Sequence, residues 1–581
     1  MSTIATLRAA WPMLRGAIAR GQLWRPQCEL REPSGDVAAE FDVAIPMREG
    51  FELTCNVFRS KSRVGATPVV MCAHPYDNSV LPALGRTPFG GAPQQYRLIP
   101  QAGGRPAFST LTSWESPDPS VWVEAGYSLV NLNLPGYGSS GGPPSVLSTH
   151  QADCFAEAIE YVAAQDWCDG SVGLLGVSYL AISQFGVASR EGGPPRALKC
   201  IAPWEGMTDL YRDVACRGGV DDTGFLSFWW HTEVKTALRD GEESFVENEG
   251  GTPPDLLRNR PLFDESWAEK AFALERIELP MLVCGSFSDH ELHTTGSFRA
   301  FDRARSQRKW VYTHRGGKWT TFYSQEVEAL LRDFMDHFLK GESNRFDSLP
   351  AVRLEVRSDR DTIHETRWEE AWPIPSASFR PFYLTARDSV GRLSEHPDDA
   401  PGEVSFRARD GQAAFDLKFE RPIEISGPMM LELWVEARPE SSGGACPDDM
   451  TLCVAVDKLD REGRSVRFHG SIGITHDMVT RGYLRVSRRE LDPTASKPWW
   501  PVLKGDREQK LSPGEIVKIA IDLSPSSTWF EAGEGLRLIV SGREIVGSPV
   551  FRKDTTGNRG RHVLHLGGER ASHLLVPVVE R

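Results

Sequence analysis

The sequence contains no run of about twenty apolar residues and no excess of positive charge. Its 66 Lys and Arg residues are outnumbered by 79 Asp and Glu residues, which gives a formal net charge of −13. Without a long apolar run, no segment is expected to span a membrane. The negative balance argues against a nucleic-acid partner, because no basic face is available to neutralise phosphates.

Paired cysteines are lacking too. The ten cysteines occur singly, without a C-x-x-C pair, which favours buried thiols in a reducing compartment over a disulfide framework or a zinc site. The N-terminus has no continuous apolar segment ending in a small-residue cleavage site, which disfavours secretion. We therefore expect a cytoplasmic protein, and the sequence is compatible with a monomer or a homo-oligomer.

The stretch Ser171–Phe185 is the most informative part of the chain. An apolar run at 172–175 predicts a buried strand, a tight turn follows at 176–179, and the next residues predict a helix. A serine on such a strand-to-helix turn is the nucleophile elbow of α/β hydrolases, which places Ser178 as the nucleophile. The alternative is a helix N-cap, and the pattern G-x-S-x-G is incomplete because position 180 is Leu.

Two later residues fit the acid and the base of a catalytic triad. In α/β hydrolases the acid and then the histidine follow the serine, each after a later strand. Asp289 follows a predicted strand at 281–285, and His314 follows one at 309–313. His314 would take the proton of Ser178, while Asp289 would fix the imidazole tautomer and offset its charge.

His293 is the alternative base. His290 and His293 lie one helical turn apart, but no third ligand is apparent and the spacing is not H-E-x-x-H. We therefore expect neither a metal ion nor a cofactor.

The chain is too long for a single core. Alternating strand and helix patterns from 67 to 190 predict a doubly wound, mostly parallel sheet, and short alternating apolar runs after about 350 predict a β-sandwich of jelly-roll type. The predicted organisation is a docking helix segment in 1–35, an α/β-hydrolase domain in 36–204 and 276–345, a helical cap in 205–275 and a jelly-roll domain in 346–581.

Four aromatic residues of the predicted cap are candidates for an apolar substrate pocket: Phe225, Phe228, Trp229 and Trp230. The alternative is that these side chains hold the cap onto its domain.

Several motifs resemble the family of cocaine esterase, X-prolyl dipeptidyl-peptidases and α-amino-acid ester hydrolases. They are the segments 74–77 (HPYD), 176–180 (GVSYL), 202–203 (AP), 209–212 (DLYR) and 286–290 (SFSDH), together with the predicted jelly-roll tail. The resemblance covers about residue 40 to the end and implies an α/β-hydrolase domain, a helical cap, a C-terminal jelly roll and hydrolysis of esters or amides.

The resemblance also implies site residues. Ser178, Asp289 and His314 match the triad, and Tyr76 resembles the tyrosine that forms the oxyanion hole together with the backbone N–H of Tyr179. Two positions depart from the pattern: Ala181 stands where relatives commonly have Gly, and the segment 314–319 does not copy the histidine motif of the esterase branch.

The sequence thus predicts a serine hydrolase that cleaves a small-molecule carboxylic ester, or an amide, through an acyl-enzyme. X-Pro dipeptidyl-peptidase activity, amino-acid ester or β-lactam acylase activity, and an inactive hydrolase-fold binding protein are the alternatives.

Overall fold

A computed structural model describes residues 11, 14–15, 18, 28–84, 96, 99, 104–387, 390–470, 472, 474 and 476–580. The predicted N-terminal docking helix lies largely outside these residues. The chain divides into two compact units: Met1–Leu210, Phe225–Asn259 and Ser266–Ala351 form the first, and Tyr211–Gly224, Arg260–Glu265 and Val352–Arg581 form the second. Within the described residues, no helix is long and apolar enough to span a membrane.

The strands of the first unit are β1 (Glu29–Arg31), β2 (Val37–Pro46), β3 (Glu52–Ser60), β4 (Thr67–His74), β5 (Ala107–Ser109), β6 (Ser128–Asn133), β7 (Cys168–Val177), β8 (Leu198–Trp204), β9 (Met281–Ser286) and β10 (Lys309–His314). The helices, in chain order, are α1 (Pro119–Glu124), α2 (Thr149–Ala163), α3 (Tyr179–Ala188), α4 (Phe225–Trp229), α5 (Gly241–Glu249), α6 (Pro253–Asn259), α7 (Glu265–Ala268), α8 (Thr294–Arg303), α9 (Lys318–Phe322) and α10 (Gln325–Leu339).

The main sheet of this unit has the strand order β2-β3-β6-β4-β7-β8-β9-β10. The β2–β3 and β3–β6 pairs are antiparallel, and every later pair is parallel. Strand β4 after Thr67 and the last six residues of β7 are buried, as expected for strands covered on both faces. The prediction of a doubly wound, mostly parallel sheet is thus confirmed, and β7 leads into its centre.

Helix starts follow the capping residues of the sequence. The Ser148 side chain accepts a hydrogen bond from the N–H of Gln151 and thereby caps the start of α2. Ser324 does the same for α10 by accepting from Val327. Between β8 and β9 the chain forms short helices, with additional helical turns at Tyr211–Ala215, Arg217–Gly219, Trp230–Val234, Lys235–Ala237 and Leu274–Arg276.

The second unit is built of strands: β11 (Val352–Arg357), β12 (Ile363–Glu369), β13 (Ala377–Arg387), β14 (Val390–Ser394), β15 (Gly402–Arg407), β16 (Gln412–Lys418), β17 (Ile423–Arg438), β18 (Thr451–Leu459), β19 (Ser465–Val466), β20 (Thr480–Arg485), β21 (Val517–Phe530), β22 (Gly535–Ser541), β23 (Arg561–Leu566) and β24 (His573–Val579). Strand β17 pairs antiparallel with β21, β23 and β24, and β22 pairs antiparallel with β16 and β18. Alternate apolar residues of these strands form one buried core, which is the arrangement of a jelly-roll sandwich.

Candidate active site

Ser178 lies on the sharp turn between β7 and α3. Its backbone has φ 59° and ψ −117°, and its side chain makes no capping hydrogen bond, which removes the N-cap interpretation. The backbone N–H of Ser178 donates to the carbonyl of Trp204 on the neighbouring strand (3.1 Å). A left-handed φ at a non-glycine residue is strained, and such strain concentrates at functional sites.

Small residues make this turn possible. A Cβ at Gly176 would lie 2.5 Å from the Cβ of Leu180, so the strand and the helix approach too closely there for any other residue. Ala181, the position where relatives commonly have Gly, faces Gly206, where a Cβ would come within 3.1 Å of the Ala181 methyl. The extra methyl group is thus accommodated by a glycine on the opposite segment.

His293 is the imidazole beside Ser178. Its Nε2 atom lies 3.2 Å from the Ser178 Oγ, and its Nδ1 atom lies 2.5 Å from the Oδ2 of Asp289. Asp289 follows β9, as predicted, and its carbonyl accepts the N–H groups of Leu292, His293 and Thr294. One turn of chain therefore carries both the carboxylate and the imidazole.

His314, the base predicted from the sequence, is placed elsewhere. Its Nε2 lies 3.0 Å from the Oε1 of Glu205, its Nδ1 accepts the N–H of Gly316 (3.2 Å), and its ring stacks on Trp204. Both ring nitrogens are therefore engaged away from Ser178. The structure thus brings His293, the alternative base, and not His314 to the side of Ser178.

The strand register explains this difference. His314 is the last residue of β10 and pairs with Ser286, the last residue of β9, whereas Asp289 lies three residues further along the chain. The carboxyl ends of parallel strands share one edge of the sheet. His314 lies level with the end of β9, three residues before Asp289, so its ring does not extend beyond Asp289 at this edge. Its ring meets Glu205, which directly follows β8.

Lys318 is a buried charged residue that the sequence analysis missed. Its Nζ lies 3.0 Å from the Oδ2 of Asp289, 3.1 Å from the Nδ1 of His293 and 4.0 Å from the Oε2 of Glu205. Burial alone would lower the pKa of Lys318, but the carboxylates of Asp289, Glu205 and Glu115 outweigh it and raise that pKa. The lysine is therefore an ammonium ion. The available signal in the sequence was its position just after the buried strand β10, where polar side chains gather at the edge of the sheet.

The same surroundings act on the imidazole and on Glu115. Burial, followed by the charge of Lys318, lowers the pKa of His293, against the opposing effect of Asp289. Burial also raises the pKa of Glu115 to about 7, although Lys318 and the indole N–H of Trp319 (2.9 Å) both favour its ionised form. His293 is thus held in its neutral form at neutral pH, the form that can accept a proton.

Glu205, Asp289 and His293 offer donor atoms that lie within 4.8 Å of one another, a spacing that could suit a metal ion. The ammonium group of Lys318 stands among the same donors, 3.0 Å from Asp289. A cation already balances these carboxylates, which disfavours a divalent ion there on electrostatic grounds.

Tyr76 and Tyr179 follow β4 and β7, and their rings meet edge to face with centroids 6.0 Å apart. The Tyr76 hydroxyl accepts the indole N–H of Trp229 (3.1 Å), which leaves its own proton available as a donor. Burial, reinforced by Glu233 and Glu115, raises the pKa of Tyr76 well above its ordinary value, so the phenol keeps that proton.

The hydroxyl and the backbone N–H of Tyr179 have different surroundings. Its hydroxyl donates to the Oε1 of Gln151 (2.8 Å) and accepts the N–H of Leu147 (3.0 Å). As the first residue of α3, however, Tyr179 has an N–H group that the helix itself does not pair. The phenol is held in place, and the backbone N–H beside Ser178 is a candidate donor.

The four aromatic residues proposed for the pocket have different surroundings. Trp229 stacks on Tyr179 with ring centroids 6.1 Å apart and reaches Tyr76, so it borders the site. Trp230 instead packs on Phe245 (4.6 Å) and donates its indole N–H to Glu242, which joins its helical turn to α5. Phe225 and Phe228 are buried in α4.

Two family models match the chain. Residues 49–320 match the X-Pro dipeptidyl-peptidase (S15 family) model, and residues 344–575 match the X-Pro dipeptidyl-peptidase C-terminal non-catalytic domain. The boundary between the two matches lies near the boundary between the main blocks of the two compact units.

Relatives match nearly the whole chain. A CocE/NonD family hydrolase from Staphylococcus aureus is 35% identical, with a TM-score of 0.85 over 94% of both chains. The cocaine esterase of a Rhodococcus species is 24% identical over 94% of this chain and all of its own length. The structure of an α-amino acid ester hydrolase has the same fold at 16% identity, with a TM-score of 0.68 over 94% of this chain and 97% of its own.

Proposed function

Because the chain belongs to the CocE/NonD family of hydrolases, we propose that it is a serine hydrolase that cleaves a carboxylic ester through an acyl-enzyme on Ser178. The observation that carries the proposal is the contact between the Ser178 Oγ and the Nε2 of His293 (3.2 Å), with Asp289 on the other ring nitrogen. A serine hydroxyl needs such an adjacent base to act as a nucleophile at neutral pH.

In the proposed mechanism, the Ser178 Oγ attacks the carbonyl carbon while the Nε2 of His293 takes its proton. His293 then returns this proton to the leaving alkoxide, and a water molecule deprotonated by the same nitrogen releases the acid. Asp289 holds the Nδ1–H of His293 and stabilises the imidazolium that forms. The lowered pKa of His293 supports this role because it keeps the ring unprotonated before attack.

Negative charge on the carbonyl oxygen requires donors that are already in position. The hydroxyl of Tyr76 and the backbone N–H of Tyr179 are the proposed pair. The indole of Trp229 occupies an acceptor position of the Tyr76 oxygen, which favours a proton directed towards the substrate. Each donor of this kind typically contributes about 3–4 kcal/mol to the stability of the transition state.

An ester is favoured over an amide as the substrate. The cocaine esterase relative aligns along its entire length, which supports ester cleavage. The Trp229 ring borders the proposed oxyanion hole, which supports an acyl or alcohol group that is apolar or aromatic. X-Pro peptidase activity remains the second hypothesis on the strength of the matched family model.

A fluorophosphonate reagent tests the nucleophile directly. We expect wild-type protein to be labelled at Ser178, as located by peptide mass spectrometry, and Ser178→Ala to be unlabelled. Ser183→Ala is the matched control, because this serine lies on the same helix but donates to the carbonyl of Ala73 (3.1 Å); it should retain labelling.

Substrate class is tested with p-nitrophenyl butyrate, p-nitrophenyl benzoate and an Xaa-Pro p-nitroanilide. Turnover of the esters alone supports the proposal. Faster turnover of the anilide than of the esters would favour the peptidase hypothesis instead. Folded wild-type protein that is neither labelled nor active on any of them would indicate an inactive binding protein.

A further inference from the structure

We propose that Lys318 is a positioning residue of the active site: its ammonium group keeps Asp289 ionised, so that Asp289 can hold His293 in the tautomer that accepts the Ser178 proton. This inference rests on the proposed function above. It assigns a role to a buried cation that contacts the proposed base, His293, and its carboxylate partner, Asp289.

The geometry places Lys318 on the side of the imidazole away from the serine. Its Nζ lies 3.0 Å from the Oδ2 of Asp289, the oxygen that also faces the Nδ1 of His293 at 2.5 Å. The Nζ approaches that Nδ1 to 3.1 Å. One carboxylate oxygen therefore faces two donors, the ammonium and the imidazole N–H, and it binds both most strongly when the carboxyl group is ionised.

The charges around Lys318 show why a cation is needed. Three buried carboxyl groups act on it: Asp289, Glu205 and Glu115. Buried carboxylates close to one another raise each other's pKa values, so that one of them takes up a proton. A protonated Asp289 would accept the Nδ1–H of His293 more weakly and would no longer offset the positive charge of the imidazolium, so the tautomer would be held less firmly.

A second buried carboxylate–imidazole pair, Glu205 and His314, lies next to Lys318. Glu205 accepts a hydrogen bond from the Nε2 of His314 (3.0 Å), and its other oxygen lies 4.0 Å from the Nζ of Lys318. Glu115 accepts the indole N–H of Trp319, the residue that follows Lys318 in α9. Lys318 thus links the Asp289–His293 pair to the Glu205–His314 pair, and its closest approach is to Asp289.

The test is the pH dependence of kcat/KM for p-nitrophenyl butyrate from pH 5 to 9 in Lys318→Met, a neutral side chain of similar length. Lys318 lowers the pKa values of Glu115 and His293, so removal of the ammonium should let protons bind more readily to these groups and to Asp289. We expect the midpoint of the acid limb to move to higher pH by about 1 unit, the size of a neighbouring-charge effect. Lys318→Arg, which keeps the charge, should bring the midpoint back towards the wild-type value.

Lys270→Met is the matched control. Lys270 is another buried lysine, bonded to Glu249 and to the carbonyl of Val146, both at 2.8 Å. Its loss should lower the unfolding temperature and leave the acid limb in place. If Lys318→Met does not fold, Lys318→Gln is measured in the same way.

An acid limb in the folded neutral variant that stays at the wild-type pH, or moves to lower pH, would overturn the role of Lys318. Wild-type protein that is not labelled at Ser178 would instead overturn the proposed function. The two failures are therefore distinguished by separate measurements.

Discussion

Exchanging the two buried histidines for glutamine, one at a time, tests which imidazole transfers the proton. His293 and His314 are both buried, and each lies against a buried carboxylate. His293→Gln should lower kcat by about 10⁴- to 10⁶-fold, as removal of a triad histidine does in serine hydrolases. This loss corresponds to about 5–8 kcal/mol of transition-state stabilisation.

His314→Gln should have a much smaller effect on kcat. The amide of Gln can still donate to Glu205, so the main losses are the fit of the 3.0 Å hydrogen bond and the stacking on Trp204. We expect about 1–3 kcal/mol of lost stability and a kcat within about tenfold of wild type at temperatures where the protein is folded.

The assay is p-nitrophenyl butyrate hydrolysis at pH 8, together with thermal unfolding of each variant. Thermal unfolding separates the two effects, because both variants disturb a buried hydrogen bond while only His293→Gln should lose proton transfer. The reasoning is refuted if folded His314→Gln is the inactive variant and His293→Gln retains activity.

Two further predictions concern Tyr76 and Glu115. Tyr76→Phe should lower kcat for the same ester by about 10²- to 10³-fold with KM changed only a few-fold, and a change confined to KM would argue against an oxyanion donor. In the folded protein the pKa of Glu115 is raised to about 7 from an ordinary 4.5. The protonated form of Glu115 therefore stabilises the folded state fully below pH 4.5, and this stabilisation is lost as the pH rises through 7. Glu115→Gln keeps an acceptor for Trp319 but cannot ionise. Its free energy of unfolding, measured with urea, should therefore rise relative to that of wild type by up to about 3 kcal/mol between pH 4.5 and 8. A difference in unfolding free energy that does not vary with pH would contradict the raised pKa of Glu115.

The sequence was sufficient to place Ser178 and Asp289 on the sheet. An apolar run followed by a tight turn and a helix is a local pattern, and it predicted the elbow at the end of β7. Asp289 was predictable for a similar reason, because polar residues just beyond a buried parallel strand gather at one edge of the sheet. The mostly parallel sheet and the jelly roll were also readable from strand periodicity.

The base could not be chosen from the sequence alone. The order of serine, acid and histidine along the chain fits both His293 and His314, and the choice depends on how far beyond a strand end each ring lies. Only the β9–β10 register shows that His314 ends level with Ser286. The spacing of four residues between Asp289 and His293 was a usable signal, since such residues face one another on a helical turn.

The electrostatic partners were still less predictable. Lys318, Glu205 and Glu115 come from three separate segments, and no pattern of one segment reveals a neighbour more than a hundred residues away. Their importance arises from burial and charge, and these properties appear only when the chain is folded.

Asp289 and His293 belong to one turn of the backbone, secured by the Asp289 carbonyl. Where two separate loops supply the carboxylate and the imidazole, movement of either loop alone separates the two groups. Here both groups lie on one hydrogen-bonded turn, and local unfolding of that turn would remove the proposed acid and base from the serine in the same event. Inactivation on heating would then follow the opening of this short segment, well before the sheet beneath it comes apart.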